Sequence, residues 1–394
     1  MKLKDIGKIV TGKTPSTKQL ENFSELADKY LFVTPRDMKD NCKYIESTER
    51  YLTSFVEDKF KSQIIKKDSV CISCIGSDMG KVYMINRPGI TNQQINSITD
   101  IKDICNPHYL YYYFSDKKEY LKGIAGGSTM PILNKSTFEN IEIDLPARNI
   151  QDKIVKILNN IDNKIGLNNK TNDNLYKILE QYIKEHYYNN EFVRNGNVND
   201  IGKIQGGYAF KGKDLLNETT NNKILKIKNI SASGVDIDNT QCVYDEVADK
   251  VDKKFLLLRG NVIIAMTGAE LGKTGYLYGQ DYRYFLNQRV GVIRGNDKYS
   301  ELYLNCLFLL EDMQNTLNSK GYGSAQPNIS TSDIENIEIP IPKEDELETF
   351  YEKCNPIYSK MILNSEQNQS LTQLRDALLP KLMSGEIDLD KIEI

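Results

Sequence analysis

Gly268-Ala269-Glu270-Leu271-Gly272-Lys273-Thr274 nearly spells a phosphate-binding loop. That motif cradles phosphate only at its full length, Gly-x-x-x-x-Gly-Lys-Ser/Thr, and only when a helix follows. Here the loop is one residue short, and Gly275-Tyr276-Leu277-Tyr278-Gly279 reads as strand and turn. The related Gly76-Ser77-Asp78-Met79-Gly80-Lys81 is followed by Val82, which lacks the hydroxyl that would hold magnesium. A β-turn presenting a lysine is the better reading of both. Asn106-Pro107-His108-Tyr109 resembles the Asn-Pro-Pro-Tyr element that grips a flipped base, but no Gly-rich cofactor loop accompanies it. A helix start explains it, with Asn as N-cap and Pro in the first turn. Cys71 and Cys74 form a Cys-x-x-Cys, yet zinc needs four ligands and there is no second pair. Residues three apart on a strand also face opposite sides. The only histidines, His108 and His186, leave no material for His-based triads or metal clusters. No catalytic residue and no metal ligand is expected in this chain.

Asn92-Gln93-Gln94 and Asn287-Gln288-Arg289 point instead to binding. Asn and Gln can pair bidentately with adenine in the DNA major groove, and Arg with guanine. An Asn present in both stretches leans towards a shared turn, whereas the differing Gln94 and Arg289 lean towards reading. The candidate DNA contacts in the first half are Lys13, Thr14, Ser77, Lys81, Gln93, Gln94, Thr129 and Met130. Those in the second half are Tyr208, Lys211, Thr267, Lys273, Gln288, Arg289, Ser324 and Gln326. A solvated loop is the plain alternative for each.

These stretches belong to a repeat. Asp5-Ile6-Gly7-Lys8-Ile9 returns as Asp200-Ile201-Gly202-Lys203-Ile204, 195 residues later, and Asn92-Gln93 returns as Asn287-Gln288 at the same offset. Asn140-Ile141-Glu142-Ile143 returns as Asn336-Ile337-Glu338-Ile339 at 196, and the Gly-Lys turns match at 192. Loops absorb the drift while strand-like and helix-like segments stay aligned. Two copies of so long a unit are a duplicated domain, not a solenoid.

In each copy, short β-branched runs (Ser69–Ile75, Asn261–Met266) end in Gly, followed by helices over Tyr109–Leu121 and Tyr299–Leu317. A Gly-rich loop comes next, then a strand ending at Pro146 or Pro342. Beyond it the period becomes helical. Ile154, Leu158, Ile161, Ile165, Leu175, Leu179 and Tyr182 make one seam, and Phe350, Cys354, Ile357, Met361, Leu371 and Leu378 the other. Roughly 30 residues of such helix span about 45 Å. The seam positions between the apolar residues are Asn168 and Asn172, then Asn364 and Asn368, related by 196. Asparagine in a seam costs stability but sets register and partner. The matched polar layer predicts that the two helices pair with each other, antiparallel about a pseudo-two-fold axis. Two amphipathic helices, each packed only on its own domain, are the alternative.

The 394 residues suit two or three domains, each with its own core. Seven scattered cysteines read as reduced thiols. No signal-like start and no apolar run of the ~20 residues that span a bilayer is found, so a cytoplasmic, membrane-free location is expected. Net charge is −3; residues 1–149 carry 22 Lys+Arg against 19 Asp+Glu, and 196–345 carry 17 against 20. Neither half has the basic balance that announces nucleic acid. Any DNA contact needs positive charge gathered on one face or supplied by partners.

The segment from Leu374-Arg375-Asp376-Ala377-Leu378-Leu379-Pro380-Lys381 through Leu382-Met383-Ser384-Gly385-Glu386-Ile387 resembles the closing motif of Type I restriction–modification specificity (S) subunits. Pro146, Gln151, Ile154 and Ile161-Asp162-Asn163-Lys164-Ile165 resemble that family's central helix. Ile150 stands where a Glu is usual, and the second copy has Glu346-Leu347 without the Gln. Gly12-Lys13-Thr14-Pro15-Ser16 and Gly206-Gly207-Tyr208-Ala209-Phe210 resemble the loops that open its two domains.

The resemblance covers nearly the whole chain and implies an α+β protein. Two duplicated target-recognition domains, 1–149 and 187–345, would be separated by a long antiparallel two-helix coiled coil of 150–186 and 346–383, with 384–394 as a tail. It implies a non-catalytic subunit that reads a bipartite target in double-stranded DNA. Two methyltransferase (M) subunits and restriction (R) subunits would be its partners; SAM, ATP and magnesium would belong to them and not to this chain. A specificity chain of a related, non-Type-I restriction system and a coiled-coil scaffold without DNA function remain the other two readings.

Overall fold

The computed structural model describes residues 1–38, 42–76, 79–125, 131–188, 194–231, 234–321 and 327–389. The chain divides into two compact units, Met1–Gly166 with Leu371–Ile394, and Leu167–Ser370. In the first unit the β-branched runs build a five-stranded sheet. Its order is Lys8–Thr11, Ile95–Thr99, Val70–Ser73, Val82–Ile85, Tyr44–Ile45. The strands Val70–Ser73, Val82–Ile85 and Ile95–Thr99 are buried along their whole length, which is why none of them shows an alternation of apolar and exposed polar residues. A second sheet orders Phe23–Ser24, Tyr51–Leu52, Tyr30–Val33 and Gly89–Thr91, the last two parallel.

The second unit repeats this plan. Its main sheet orders Gly202–Gly206, Val290–Gly295, Val262–Ala265 and Thr274–Tyr276. Its other large sheet orders Gln241–Val243, Asn222–Leu225, Arg283–Leu286 and Leu256–Leu257, with the middle pair again parallel. Register repeats as well: Ile9 opposite Ile98 becomes Ile204 opposite Ile293, each shifted by 195.

Where the first strand of each main sheet ends, the backbone passes against the end of the parallel strand from the other sheet. A Cβ on Gly12 would lie 2.1 Å from the Asn92 carbonyl oxygen and 2.2 Å from that of Thr91. One on Gly207 would lie 2.0 Å from the Asn287 carbonyl oxygen. Only glycine permits this crossing at either place.

Each expected helix beyond the sheet is in fact two: Pro107–Asp116 with Lys118–Gly123, and Lys298–Leu309 with Glu311–Lys320. Leu310, extended at φ −65° and ψ 139°, breaks the second pair. The break lets Phe308, Leu310, Met313 and Leu317 all enter one core, which a straight rod with one buried stripe could not do.

The two long helices run Arg148–Ile183 and Glu344–Met383. Within the second unit they are antiparallel and joined by their asparagines. Asn168 Nδ2 donates to Asn368 Oδ1 (2.8 Å) and Gln367 Oε1 (2.9 Å). Asn364 Nδ2 donates to Asn172 Oδ1 (2.8 Å), and Asn172 Nδ2 to the Met361 carbonyl (3.0 Å). Around this layer Leu179, Phe350, Cys354 and Met361 are buried in the core of that unit, while Leu175, Tyr182 and Ile357 pack at its margin. Within the first unit Ile154, Leu158, Leu379 and Leu382 are buried together, and Ile161 and Ile165 are buried as well. Leu378 is only half-buried, its neighbour Leu379 taking the seam. The first unit adds a polar cluster. Arg375 Nη1 donates to Asp162 Oδ1 (3.1 Å), the Tyr112 hydroxyl donates to Asp162 Oδ2 and lies 3.0 Å from Asn159 Oδ1, and the Lys43 ammonium reaches Asn159 and Tyr112. Fully buried Gln151 ties the helix start to its unit, accepting from Asn106 N (2.8 Å) and donating to the Ile104 and Pro146 carbonyls. Among the described residues, no helix is long and apolar enough to cross a membrane.

Gly12→Ala and Gly207→Ala are expected to destabilise the protein by about 1–3 kcal/mol or more each, because backbone carbonyls must move. Gly166→Ala, in a helix with open space at the Cβ, is expected to be neutral or stabilising by up to about 1 kcal/mol. Urea unfolding of the three variants checks this, and equal effects at all three would sink the steric argument.

Burial pulls Lys43 down from 10.5 to about 8, against the opposing pull of Asp162 and Asp68. The unfolded chain then binds the extra proton between about pH 8 and 10.5, so this lysine raises stability as pH climbs through that window. Relative to Lys43→Met, wild type is expected to gain about 1–3 kcal/mol between about pH 7.5 and 10, because each tenfold change in proton affinity on folding is worth ~1.4 kcal/mol. Paired urea titrations at the two pH values measure it; a flat difference would show that the ammonium is not desolvated.

Candidate nucleic-acid interface

In each unit the segments carrying the expected contacts come together at one end of the main sheet, held by backbone hydrogen bonds. In the first unit Asn92 N donates to the Val33 carbonyl (2.9 Å), Cys74 N to that of Gln94 (2.8 Å), and Leu133 N to that of Cys74 (2.9 Å). In the second unit Asn287 N donates to the Leu225 carbonyl (3.1 Å), Met266 N to that of Arg289 (3.1 Å), and Ile329 N to that of Met266 (3.0 Å). The same knot is tied twice.

Its side chains differ. Asn92 serves the turn: its Oδ1 accepts from Gln94 N and its Nδ2 donates to Gln94 Oε1, both at 3.0 Å. Gln94 is thereby held half-buried with its amide NH2 available. Exposed Gln93 accepts from the Thr14 hydroxyl (2.8 Å), so two candidates from distant stretches meet. The exposed Lys13 ammonium lies 5.8 Å from the centre of the Phe60 ring. In the second unit Gln288 and Arg289 are exposed, and Tyr208 takes the place of Lys13. The Tyr208 ring meets Phe210 and Phe255 edge-on at 4.9 and 5.5 Å. Lys211 is exposed at the start of the short helix that follows.

Other candidates are placed differently. Thr267 is buried and bridged to Asn328, which removes it from the exposed set because the strand end needs that bridge. Lys81 and Lys273 are half-buried at the ends of matching hairpins, and Lys273 is ion-paired to Glu270 (2.7 Å). The near-Walker segment joins antiparallel strands Val262–Ala265 and Thr274–Tyr276 with no helix after it. The Thr274 hydroxyl is buried and donates to the Phe308 carbonyl (2.9 Å), not towards a magnesium site. Ser77, Thr129, Met130, Ser324 and Gln326 lie outside the described residues.

The remaining motifs are structural. Asn106 caps the helix Pro107–Asp116, accepting from His108 N (2.9 Å). Cys71 and Cys74 are buried in different apolar clusters, as strand alternation requires, and burial pushes their thiols up to about 12 and about 11. Among the described residues, no His/Cys/Asp/Glu group could hold a metal ion.

Two features escaped sequence reasoning. Buried Asn96 accepts from the Thr11 hydroxyl (2.6 Å) and donates to the Leu133 carbonyl (3.2 Å), bracing the first knot. An Asn inside a β-branched strand was its signal. The Asp162–Arg375 pair was also missed, although both residues sit in the two helix motifs.

A family model for the Type I restriction modification DNA specificity domain matches residues 1–177 and again 190–373. The Type I restriction enzyme MjaIX specificity subunit of Methanocaldococcus jannaschii is 30% identical over 416 residues, spanning 99% of this chain and 94% of that one. The Type I restriction enzyme HindI specificity subunit of Haemophilus influenzae is 37% identical over 174 residues, 41% of this chain and 37% of that one. Among solved structures, a Type I restriction–modification S subunit from M. genitalium aligns over 97% of this chain and 95% of that one. Its TM-score is 0.59 at 16% identity, a likeness of fold. The duplicated knot, the paired long helices and these matches together make this chain a member of the Type I restriction–modification specificity subunit family.

Proposed function

We propose that this specificity subunit reads a bipartite target in double-stranded DNA, one half-site through each unit, and docks two M subunits as well as R subunits. The observation that carries the reading is the knot tied twice with the same backbone and different side chains: exposed Lys13 and Gln93 with half-buried Thr14 and Gln94 in one, exposed Tyr208, Lys211, Gln288 and Arg289 in the other. A shared scaffold with different readers suits two different half-sites. Base edges discriminate through side chains of this kind, while phosphate contacts only position. Lys81 and Lys273 suit the phosphate role.

The docking reading rests on the long helices. Leu167 and Leu363 are 59% and 51% exposed, and Ile178 and Leu374 are 51% and 48% exposed. Each pair is related by the same 196-residue offset. One exposed leucine is ordinary; the return of both at equivalent points suits two copies of one partner. Methyl transfer with SAM then belongs to M, and ATP- and magnesium-dependent work to R. This chain performs no chemical step, and the assembly works in the cytoplasm.

Arg289→Ala and Gln94→Ala, each assembled with M, are expected to relax one position in opposite halves of the target, at about 1–3 kcal/mol per lost bidentate contact. Methylation-site mapping reads this directly. Degradation of the same half by both substitutions would rule out one unit per half-site.

Leu167→Asp with Leu363→Asp is expected to weaken association with M at least tenfold while leaving the chain's own melting temperature nearly unchanged. Isothermal titration against purified M tests it, and undiminished affinity would remove these helix faces from the interface.

A further inference from the structure

The asparagines of the two long helices form a self-complementary set. Asn168 meets Asn368 and Asn172 meets Asn364. Subtracting the 196-residue offset turns these pairs into 168 with 172 and 172 with 168. Two copies of the central helix, brought together antiparallel, would rebuild the same amide layer. The asparagines therefore set register without saying which helix is the partner.

The charges do say so. Asp162 and Arg375 pair at 3.1 Å with side chains only 10% and 19% exposed. Asp162 also accepts from the buried Tyr112 hydroxyl, and the more exposed Asp376 shares the guanidinium. The offset maps Asp162 onto Tyr358, Arg375 onto Leu179 and Tyr112 onto Phe308. In the second unit those three are buried in one apolar core, and Tyr358 donates to the Gly260 carbonyl (2.8 Å). Like-with-like pairing of two central helices would set Asp162 against Leu179 twice. The same pairing of two C-terminal helices would set Arg375 against Tyr358 twice. Neither supplies the missing ion-pair partner: Asp162 would keep only the nearby Lys43 ammonium and Arg375 only the exposed Asp376, and a buried charge stripped of its direct partner is strongly disfavoured.

We propose that the Asp162–Arg375 pair is the identity key of the helix pairing: it makes the central helix select the C-terminal helix and reject a second copy of itself. A chain built from two similar halves requires such a choice, because both halves carry the same asparagine layer.

The test uses full-length chain in light and isotopically heavy forms, mixed in urea, refolded together over a range of concentrations and cross-linked through lysine. Mass spectrometry then counts links joining Lys164, Lys170 or Lys177 of one copy to the same segment of another. Asp162→Tyr with Arg375→Leu, which installs the residues of the other unit, is expected to raise these links at least tenfold over wild type. Asp162→Asn with Arg375→Gln, closer in shape, is expected to raise them as well and serves if the first variant misfolds. Yields no higher than wild type in the folded variants would overturn the proposal.

Discussion

Buried carboxamides must satisfy one another, and between the long helices they can do so in only one alignment. Asn168 and Asn172 are matched to Asn368 and Asn364 across antiparallel backbones, so a slip of one turn would leave buried amides without partners. The apolar members of the seam supply affinity but little register, since a leucine can pack against a leucine one turn away. In this protein the costly polar residues do the aligning, and the cheaper apolar ones the holding.

Each unit meets its helices through different chemistry. The first uses a cluster of Lys43, Tyr112, Asn159, Asp162 and Arg375, with Gln151 clamped to three backbone groups. At the equivalent points the second uses Tyr358, Leu179, Phe308 and Leu347, all buried in one apolar cluster. Duplication conserved the order of four strands in the main sheet and the backbone crossing at Gly12 and Gly207, where no side chain fits. It left the surroundings free to diverge. The same contrast holds at the sheet ends, where common backbone hydrogen bonds carry Gln94 in one unit and Arg289 in the other. A knot tied by main-chain hydrogen bonds tolerates this substitution because neither the Gln94 nor the Arg289 side chain makes those bonds.

Much of this was legible from residue order. The near-Walker segment reads as a hairpin because its length and its following residues are wrong for a phosphate loop, and a hairpin it is. Asn106 reads as a cap and accepts the expected hydrogen bond. The asparagine layer was visible because polar residues interrupt an apolar heptad at the same place in both copies. The broken helices were not visible, since Leu310 and its neighbours suit a helix on either side and only the core they enter decides the break. Nor was the burial of Thr267, a small polar residue at a strand end whose exposure depends on the Asn328 segment pairing there.

Periodicity, spacing and repetition are properties of the chain, and they determined the strand and helix classes, the duplication, the family resemblance and the seam. These signals are local, or repeat at a constant offset, so they survive without coordinates. Only the tertiary structure decided which distant residues meet: Thr14 with Gln93, Lys43 with Asn159, Asp162 with Arg375. The physical reason is that a charge or an amide in a sequence carries no mark of its partner. A buried polar group is satisfied by whatever the fold brings within hydrogen-bond reach, and that distance exists only after the backbone has closed.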